Sequence, residues 1–264
     1  MITHNRNNDF TGYLGNRMFQ TASTIGIATK YNQPYCFNSS EYLAGFKNIL
    51  CVPNSEFGKY QFNDVQENSF GFQTVNLESG RHYNILGYRQ TEKYFEHCKE
   101  LIKTTFEFND EIKNVCNIML SDLKENNPDK NLVSIHVRCG DYLNLKNHHT
   151  CLMDVGYYEK AVLEFDLDQT IFVIFSDNLN MAADFFRAKT SIKFVCAAVS
   201  KPVIDMCLMS MLDGHIIANS SFSWWAAWLS GNKTISPDKN KWFGSAYDDM
   251  EINDIIPEAW KQIK

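Results

Sequence analysis

The chain of 264 residues lacks several features that would assign it to other classes of protein. No apolar run approaches the ~20 residues of a membrane-spanning helix, and the polar N-terminus, residues 1–9, is unlike a signal peptide. The 25 Lys and Arg residues are outnumbered by 31 Asp and Glu residues, without a long basic run, so no nucleic-acid partner is expected. We therefore expect a cytoplasmic protein, and a peripheral position at the inner face of a membrane is compatible with this.

The cysteines and histidines also lack the spacing of a disulfide framework or a metal site. The eight cysteines are scattered singly, with no Cys-x-x-Cys pair, which favours a reducing compartment. The nearest approach to a metal cluster is His148, His149 and Cys151, and no second half-site with ligand spacing accompanies it. We expect a solvated loop there, with no metal.

The apolar and aromatic content, 44% and 14%, can fill the core of one large domain or two ordinary ones. After a polar break at residues 125–130, apolar strands alternate with helices to the end of the chain. This alternation predicts a parallel sheet of the Rossmann type. Before the break, helices are predicted up to Thr29 and over residues 91–97, the second capped by Thr91. The first strand is weak because only Ile2 resembles strand material. The predicted domains are residues 1–127 and 128–264, with the last helix able to return to the first domain.

Polar residues follow three of the predicted strands, and ligands of doubly wound sheets bind at such strand ends. Arg138 offers a planar fork of donors that suits a diphosphate. Asp141 adds a carboxylate nearby, and the two residues either serve a ligand or form an ion pair that fixes the loop. The serine-rich turn at 219–223 is either a phosphate cradle at a helix start or a plain helix cap, and local evidence alone favours the cap.

Two further residues are suited to recognising a base at these strand ends. The carboxylate of Asp205 can accept from the paired N–H donors of guanine, although a carboxylate near a helix start usually only compensates the helix dipole. His136 projects on the same side of the extended chain as Arg138 and can bond the same base. In the first half, Gly15 and Asn16 precede a helix and either present amides to a ligand or form a simple turn.

Five motifs, in order along the chain, resemble the α-1,2-fucosyltransferases of glycosyltransferase family 11. They are Gly-Asn-Arg-Met-Phe-Gln at 15–20, Gly-Tyr-Arg-Gln-Thr-Glu-Lys-Tyr-Phe at 87–95, His-Val-Arg-Cys-Gly-Asp-Tyr at 136–142, Phe-Ser-Asp at 175–177 and the run at 219–229. The resemblance spans nearly the whole chain, including residues 256–260. It implies an α/β chain of GT-B type, with two Rossmann-like domains facing a cleft.

The resemblance also implies an activity and its substrates. L-Fucose would pass from GDP-β-L-fucose, with inversion, to the O2 hydroxyl of a terminal β-galactoside, without a cofactor or a required metal. The acceptor would be a galactose-terminated oligosaccharide or a lipid-linked glycan. The donor-binding residues that the resemblance implies are Gly15, Asn16, His136, Arg138, Asp177, Asp205, Ser220, Ser221 and Phe222. Of these, Arg138 would bind the diphosphate, His136 and Asp205 the guanine, and the serine turn the phosphate and neighbouring donor groups.

The sequence departs from the family pattern at two positions. Cys139 stands where a second arginine is usual, which removes a cation beside the diphosphate. Arg17 stands where glutamine is usual, which adds a cation in the first domain. Partial compensation, weaker donor binding and altered acceptor choice all agree with these departures.

Catalysis without a metal requires fixed positive charge and a base. Arg138 and the amides near residues 220–223 would stabilise the departing diphosphate. Asp141 is the candidate general base, with Glu92 as its rival, and a carboxylate that only orients Arg138 would have the same sequence signature.

The acceptor is expected to meet the first domain through Tyr88, Gln90 and Lys93, with aromatic stacking from residues 35–72. Core packing is an equal alternative, especially for Tyr94 and Phe95. Two other functions agree with the sequence: a non-catalytic GDP-sugar or glycan-binding homologue, and a fucosyltransferase of different linkage or with a protein acceptor.

Overall fold

The computed structural model describes residues 1–4, 13–38, 43–197, 201–250 and 252–264. The helices within these ranges are α1 Leu14–Lys30, α2 Asn54–Phe57, α3 Lys99–Thr105, α4 Asp110–Asn126, α5 Gly140–Asn144, α6 Tyr157–Ala161, α7 Leu179–Lys189, α8 Pro202–Ser210 and α9 Ser221–Ser230. The strands are β1 Ile2–His4, β2 Phe37–Asn38, β3 Cys51–Val52, β4 Phe62–Val65, β5 His82–Ile85, β6 Asn131–Val137, β7 Thr170–Ser176, β8 Phe194–Cys196, β9 Gly214–Ile216, β10 Lys233–Pro237 and β11 Lys261–Ile263.

The chain forms two compact units. The first unit contains Met1–Asn109 and Met250–Pro257, and the second contains Asp110–Asp249 and Glu258–Lys264. This division falls one helix earlier than the boundary predicted at residue 127, because α4 packs against α8 and buries Ile112 and Cys116. The part that returns to the first unit is the segment 250–257 rather than the last helix.

The second unit is built on a six-stranded parallel sheet in the order β8-β7-β6-β9-β10-β11. Numbered within the unit, this is the order 3-2-1-4-5-6 of dinucleotide-binding folds. The predicted alternation of strands and helices is confirmed, whereas β10 and β11 were not predicted. Helix α9 is apolar on most of its surface, and Trp224 and Trp225 are completely buried.

The first unit contains a parallel sheet in the order β1-β5-β4, with β2 paired to β3. The weak first strand does form, since its three residues are buried through pairing with β5. Helix α1 begins earlier than predicted because Tyr13 is extended and its carbonyl accepts from the amides of Asn16 and Arg17. Gly15 and Asn16 therefore lie inside the first helical turn and not in a preceding loop.

The segment predicted as a helix at residues 91–97 forms two 3-10 turns, Glu92–Tyr94 and Glu96–Cys98. Thr91 caps the first turn as predicted, because its hydroxyl accepts from the Lys93 amide at 3.3 Å. No disulfide joins the eight cysteines, all of which lie in described parts of the chain. Of the helices described, none is long and apolar enough to cross a bilayer.

Candidate active site at the carboxyl edge of the second sheet

The second sheet has its switch point between β6 and β9. These two strands are neighbours. The chain continues from β6 to β7 on one side of the pair and from β9 to β10 on the other side. In open α/β sheets the crevice at the carboxyl ends of such strands is where ligands bind. The segment after β6 carries Arg138, and the segment after β9 leads into α9. The topology therefore brings the arginine motif and the serine turn to one place, as predicted.

Arg138 is held at this edge by Asp177, which follows β7. Its Nη1 lies 2.8 Å from Asp177 Oδ2, and both side chains are about one-quarter exposed, at 26%. The other carboxylate oxygen accepts from the Cys139 amide at 2.8 Å. A Cβ on Gly140 would lie 2.6 Å from Asp177 Oδ2, so glycine permits this close approach. Asp177, predicted to bind the donor, has an observed role in orienting the guanidinium.

His136 is almost completely buried, with 6% of its surface exposed. Its Nδ1 lies 2.9 Å from Ser223 Oγ, its carbonyl accepts from Tyr158, and its ring lies 5.3 Å from that of Phe222. Burial, and secondly the charge of Arg138, lower the pKa of His136 to about 4 against the opposing effect of Asp177. His136 is therefore neutral at pH 7 and links β6 to α9, and its contact with guanine stays a prediction.

The start of α9 is closed by side chains of its own turn. Ser220 is the N-cap, and its hydroxyl accepts from the Phe222 amide at 3.4 Å. Ser223 Oγ accepts from the Ala218 amide at 3.2 Å, which fastens the end of β9 to the helix. The plain cap is therefore present. A capped helix of ten residues still directs the positive end of its dipole towards this edge, so a phosphate role for Ser220 and Ser221 stays a prediction.

Tyr142 is a site residue whose structural role the sequence did not reveal. Its ring lies 5.7 Å from the Arg138 guanidinium carbon and stacks on the His149 ring at 3.9 Å with an interplanar angle of 2°. Its hydroxyl donates to the Asn219 carbonyl at 3.0 Å. Tyr142 thus joins the segment after β6 to the segment after β9. Only the assembled sheet brings Tyr142 and Asn219 together, so no sequence pattern indicates the contact.

The loop of His148, His149 and Cys151 is packed rather than fully solvated. Besides the stack of His149 on Tyr142, His148 lies 5.7 Å from the Tyr247 ring, and Cys151 is buried. Asn219 donates through Nδ2 to the Thr150 carbonyl at 3.0 Å. In the described ranges, no group of three or more His, Cys, Asp or Glu side chains could hold a metal ion.

The remaining candidates of the second unit are less completely defined. Cys139 is completely buried, with Sγ 3.7 Å from Ser176 Oγ, so its side chain packs into the core instead of facing the arginine's side of the strand. Asp205 lies in the first turn of α8, and its contact with guanine stays a prediction. Asp141 lies in α5, but its side chain is outside the described part of the structure.

In the first unit, the motif at residues 87–95 is organised around a half-buried carboxylate, that of Glu67. Glu67 accepts from the amides of Tyr88 and Arg89 at 2.7 and 2.8 Å, and burial raises its pKa. Gly87, at φ +100°, leaves room for this side chain. Gln90 donates to Oδ1 of Asn16, in the first turn of α1, at 2.8 Å. Two residues that were predicted to bind ligands therefore bond to each other. Glu92 lies in the adjacent 3-10 turn.

The sequence profile of Glycosyl transferase family 11 matches residues 4–264. The chain belongs to this family. The O-antigen biosynthesis glycosyltransferase WbnK of Escherichia coli is 30% identical over 207 residues, covering 74% of this chain and 67% of the relative. An α-1,2-colitosyltransferase of E. coli is 31% identical, covering 68% and 62%. The mouse galactoside 2-α-L-fucosyltransferase Sec1 is 25% identical, covering 85% and 64%. The chain thus spans about two thirds of the length of these family 11 relatives.

Solved structures of fucosyltransferases share the fold of this family 11 chain. NodZ from Bradyrhizobium superposes with a TM-score of 0.55 at 12% identity, covering 85% of this chain and 91% of that one. POFUT1 in complex with GDP gives a TM-score of 0.52 at 11% identity, covering 88% and 94%. The predicted α/β fold of GT-B type is confirmed.

Proposed function

We propose that this protein transfers L-fucose from GDP-β-L-fucose, with inversion and without a metal, to the O2 hydroxyl of a terminal β-galactoside. The observation that carries this proposal is the fixed guanidinium of Arg138 at the switch point, beside the start of α9. Family membership supports a glycosyl transfer, and the names of the α-1,2-transferring relatives support the linkage. The two NodZ and POFUT1 structures that contain GDP or GDP-fucose support the donor class.

In the proposed reaction, the bond between the anomeric carbon and the diphosphate oxygen breaks as the acceptor O2 forms a new bond to that carbon. The leaving diphosphate gains negative charge, which Arg138 and the helix dipole of α9 stabilise by fixed electrostatics. Arg138 needs little reorganisation, because Asp177 and the Cys139 amide already fix its surroundings. The proton of the acceptor hydroxyl passes to a carboxylate, for which we propose Asp141, with Glu92 as the alternative.

A second donor is favoured by one specific observation. The α-1,2-colitosyltransferase is 31% identical to this chain, compared with 25% for the galactoside fucosyltransferase Sec1. Colitose lacks the 3-hydroxyl group of fucose, so the two donors share the diphosphate and the leaving group. The same Arg138 site serves either donor, and discrimination rests on contacts to the sugar.

The test supplies purified protein with GDP-fucose or GDP-colitose and a panel of β-galactosides plus a protein acceptor, with and without EDTA. It measures released GDP together with glycosylated product. We expect product from one donor at equal rates in both conditions. GDP binding without product from either donor, across a panel of galactosides and a protein acceptor, would instead favour the non-catalytic homologue. Product of another linkage would favour the different-linkage alternative.

A further inference from the structure

The first unit contains a cavity of about 340 Å³ that contains none of the residues assigned to the donor, although Lys93, expected to meet the acceptor, is in its lining. It lies among the end of α1, the segment at residues 72–75 and the two 3-10 turns. A volume of this size is in the range of small-ligand sites, which are typically lined by aromatic and apolar side chains with a few polar groups. The cavity is lined by Ile27, Lys30, Tyr31, Phe72, Gln73, Val75, Lys93, Tyr94 and His97.

One wall of the cavity is aromatic and firmly built. The Phe72 and Tyr94 rings lie 4.9 Å apart at 54°, and Phe72 is 38% exposed. The Tyr94 hydroxyl accepts from the Gln73 amide at 3.0 Å and from Arg89 Nη1 at 3.1 Å. Tyr31 donates to the Val75 carbonyl at 2.5 Å. Phe72 thus presents an exposed aromatic face, which suits the apolar face of a sugar ring, while the buried Tyr94, 3% exposed, holds it in place.

The rim of the cavity carries positive charge, although the whole chain has a formal net charge of −6. Lys93 is paired with Asp254, which also accepts from the Phe72 amide at 2.9 Å. Lys30 lies 6.0 Å above the Tyr31 ring, and no ion pair to a carboxylate is found for it in the described ranges. His97 adds ring nitrogens to the same lining. One lysine charge is therefore left to attract an anion.

We propose that this cavity binds an acidic sugar residue, carrying a carboxylate, in the part of the acceptor glycan away from the reacting galactose. The sugar ring lies against the exposed Phe72, whose ring packs on the buried Tyr94, and its carboxylate bonds to Lys30. The assignment to the acceptor rests on the proposed transferase function. Binding of the acidic sugar itself does not, so the two are tested separately.

The test measures binding of methyl β-D-glucuronide by ligand-observed NMR titration, with methyl β-D-glucoside as the neutral match. Saturating GDP is present to occupy the donor site. The titration is repeated with Arg138→Ala, because sugar binding that depends on Arg138 would lie at the donor site. We expect the glucuronide to bind more tightly than the glucoside in both proteins. Lys30→Gln should weaken glucuronide binding about tenfold, the factor for one charge-assisted hydrogen bond. Phe72→Leu should weaken both sugars.

Lys124→Gln, at an exposed lysine of α4, is the matched control and should leave binding unchanged. Equal affinity for the two sugars, or no binding of either, would overturn the proposal. Glucuronide binding that survives both Lys30→Gln and Phe72→Leu would also overturn it, because the site would lie elsewhere. A protein that binds the glucuronide here but forms no fucosylated product would contradict the transferase function and its acceptor assignment, while leaving the acidic-sugar site in place.

Discussion

His136 and Ser223 are joined by a hydrogen bond of 2.9 Å between Nδ1 and Oγ, which links strand β6 to helix α9 across the switch point of the second sheet. The same serine oxygen accepts from the Ala218 amide at the end of β9. The arginine segment and the start of α9 are thereby held in a fixed relation. A site that stabilises developing negative charge needs such a prearranged geometry, since groups that must reorganise lose much of their effect.

Replacing Arg138 tests the electrostatic role directly. Arg138→Ala should reduce kcat by roughly 10²–10³, because one preorganised donor to the developing charge is lost. Arg138→Lys should recover only part of this loss, since a lysine ammonium cannot reproduce the planar fork that pairs with Asp177. The measurement is steady-state product formation, with GDP affinity determined in parallel. Wild-type turnover in Arg138→Ala would contradict this assignment.

Substitutions of Asp177 test whether this residue acts by orienting the Arg138 guanidinium. Asp177→Asn keeps an oxygen that can accept from the Cys139 amide but loses the ion pair with Arg138. We expect GDP affinity to fall roughly tenfold, as for loss of a hydrogen bond between charged groups, with a larger fall for Asp177→Ala. Calorimetric titration with GDP distinguishes the variants. Asp184→Asn, at a carboxylate that pairs with Arg187 on the exposed side of α7, should leave GDP affinity unaffected.

Tyr142 should matter through the hydrogen bond of its hydroxyl to the Asn219 carbonyl. Tyr142→Phe removes the hydrogen bond to the Asn219 carbonyl and keeps the ring beside Arg138 and His149. We expect GDP binding to weaken roughly fivefold, the effect of one neutral hydrogen bond. Tyr142→Leu should weaken it further because the ring is lost as well. GDP affinity of Tyr142→Leu equal to that of the wild type would exclude a positioning role.

The second unit should lose stability in mild acid because of two buried histidines. Burial lowers the pKa of His215 to about 4, and burial with the charge of Arg138 does the same for His136. Between pH 6.5 and 4 these imidazoles are protonated in the unfolded chain and neutral in the folded one. The free energy of unfolding therefore falls as the pH falls, by about 1.4 kcal/mol per pH unit for each group.

This pH dependence can be measured by urea unfolding at pH 7, 6 and 5. All five tryptophans belong to the second unit, so their fluorescence follows that unit alone. His215→Gln should reduce the slope between pH 6 and 5 by about 1.4 kcal/mol per unit, since one titrating group is removed. His148→Gln, at an exposed histidine, is the control. An unchanged slope in His215→Gln would show that His215 is not neutral in the folded protein.

The second unit could be predicted from the sequence because its central strands are continuous apolar runs. The residues of β6 and β7 are buried on both faces of the sheet, so their sequences differ sharply from the helices between them. Strand β10, Lys-Thr-Ile-Ser-Pro, was missed because its burial comes from pairing between β9 and β11 and not from apolar composition.

The contacts within the site could be predicted only in part. The arginine motif and the serine turn were assigned to one place because strand ends in a parallel sheet meet at one edge. The pairing of Arg138 with Asp177 joins residues that are far apart in sequence, and it depends on the adjacency of β6 and β7. The short spacing between Arg138 and Asp141 suggested instead that Asp141 pairs with the arginine. The stack of Tyr142 on His149 could not be predicted either, because it depends on the conformation of the loop at residues 145–151.

The decisive measurement is the structure of the product formed from GDP-β-L-fucose and a β-galactoside. NMR spectroscopy of the purified product defines both the anomeric configuration and the linkage. We expect an α-linked fucose on O2 of galactose, formed by wild-type protein and lost in Arg138→Ala. A β-linked fucose, or an α-linkage to another position formed equally well by Arg138→Ala, would contradict this expectation.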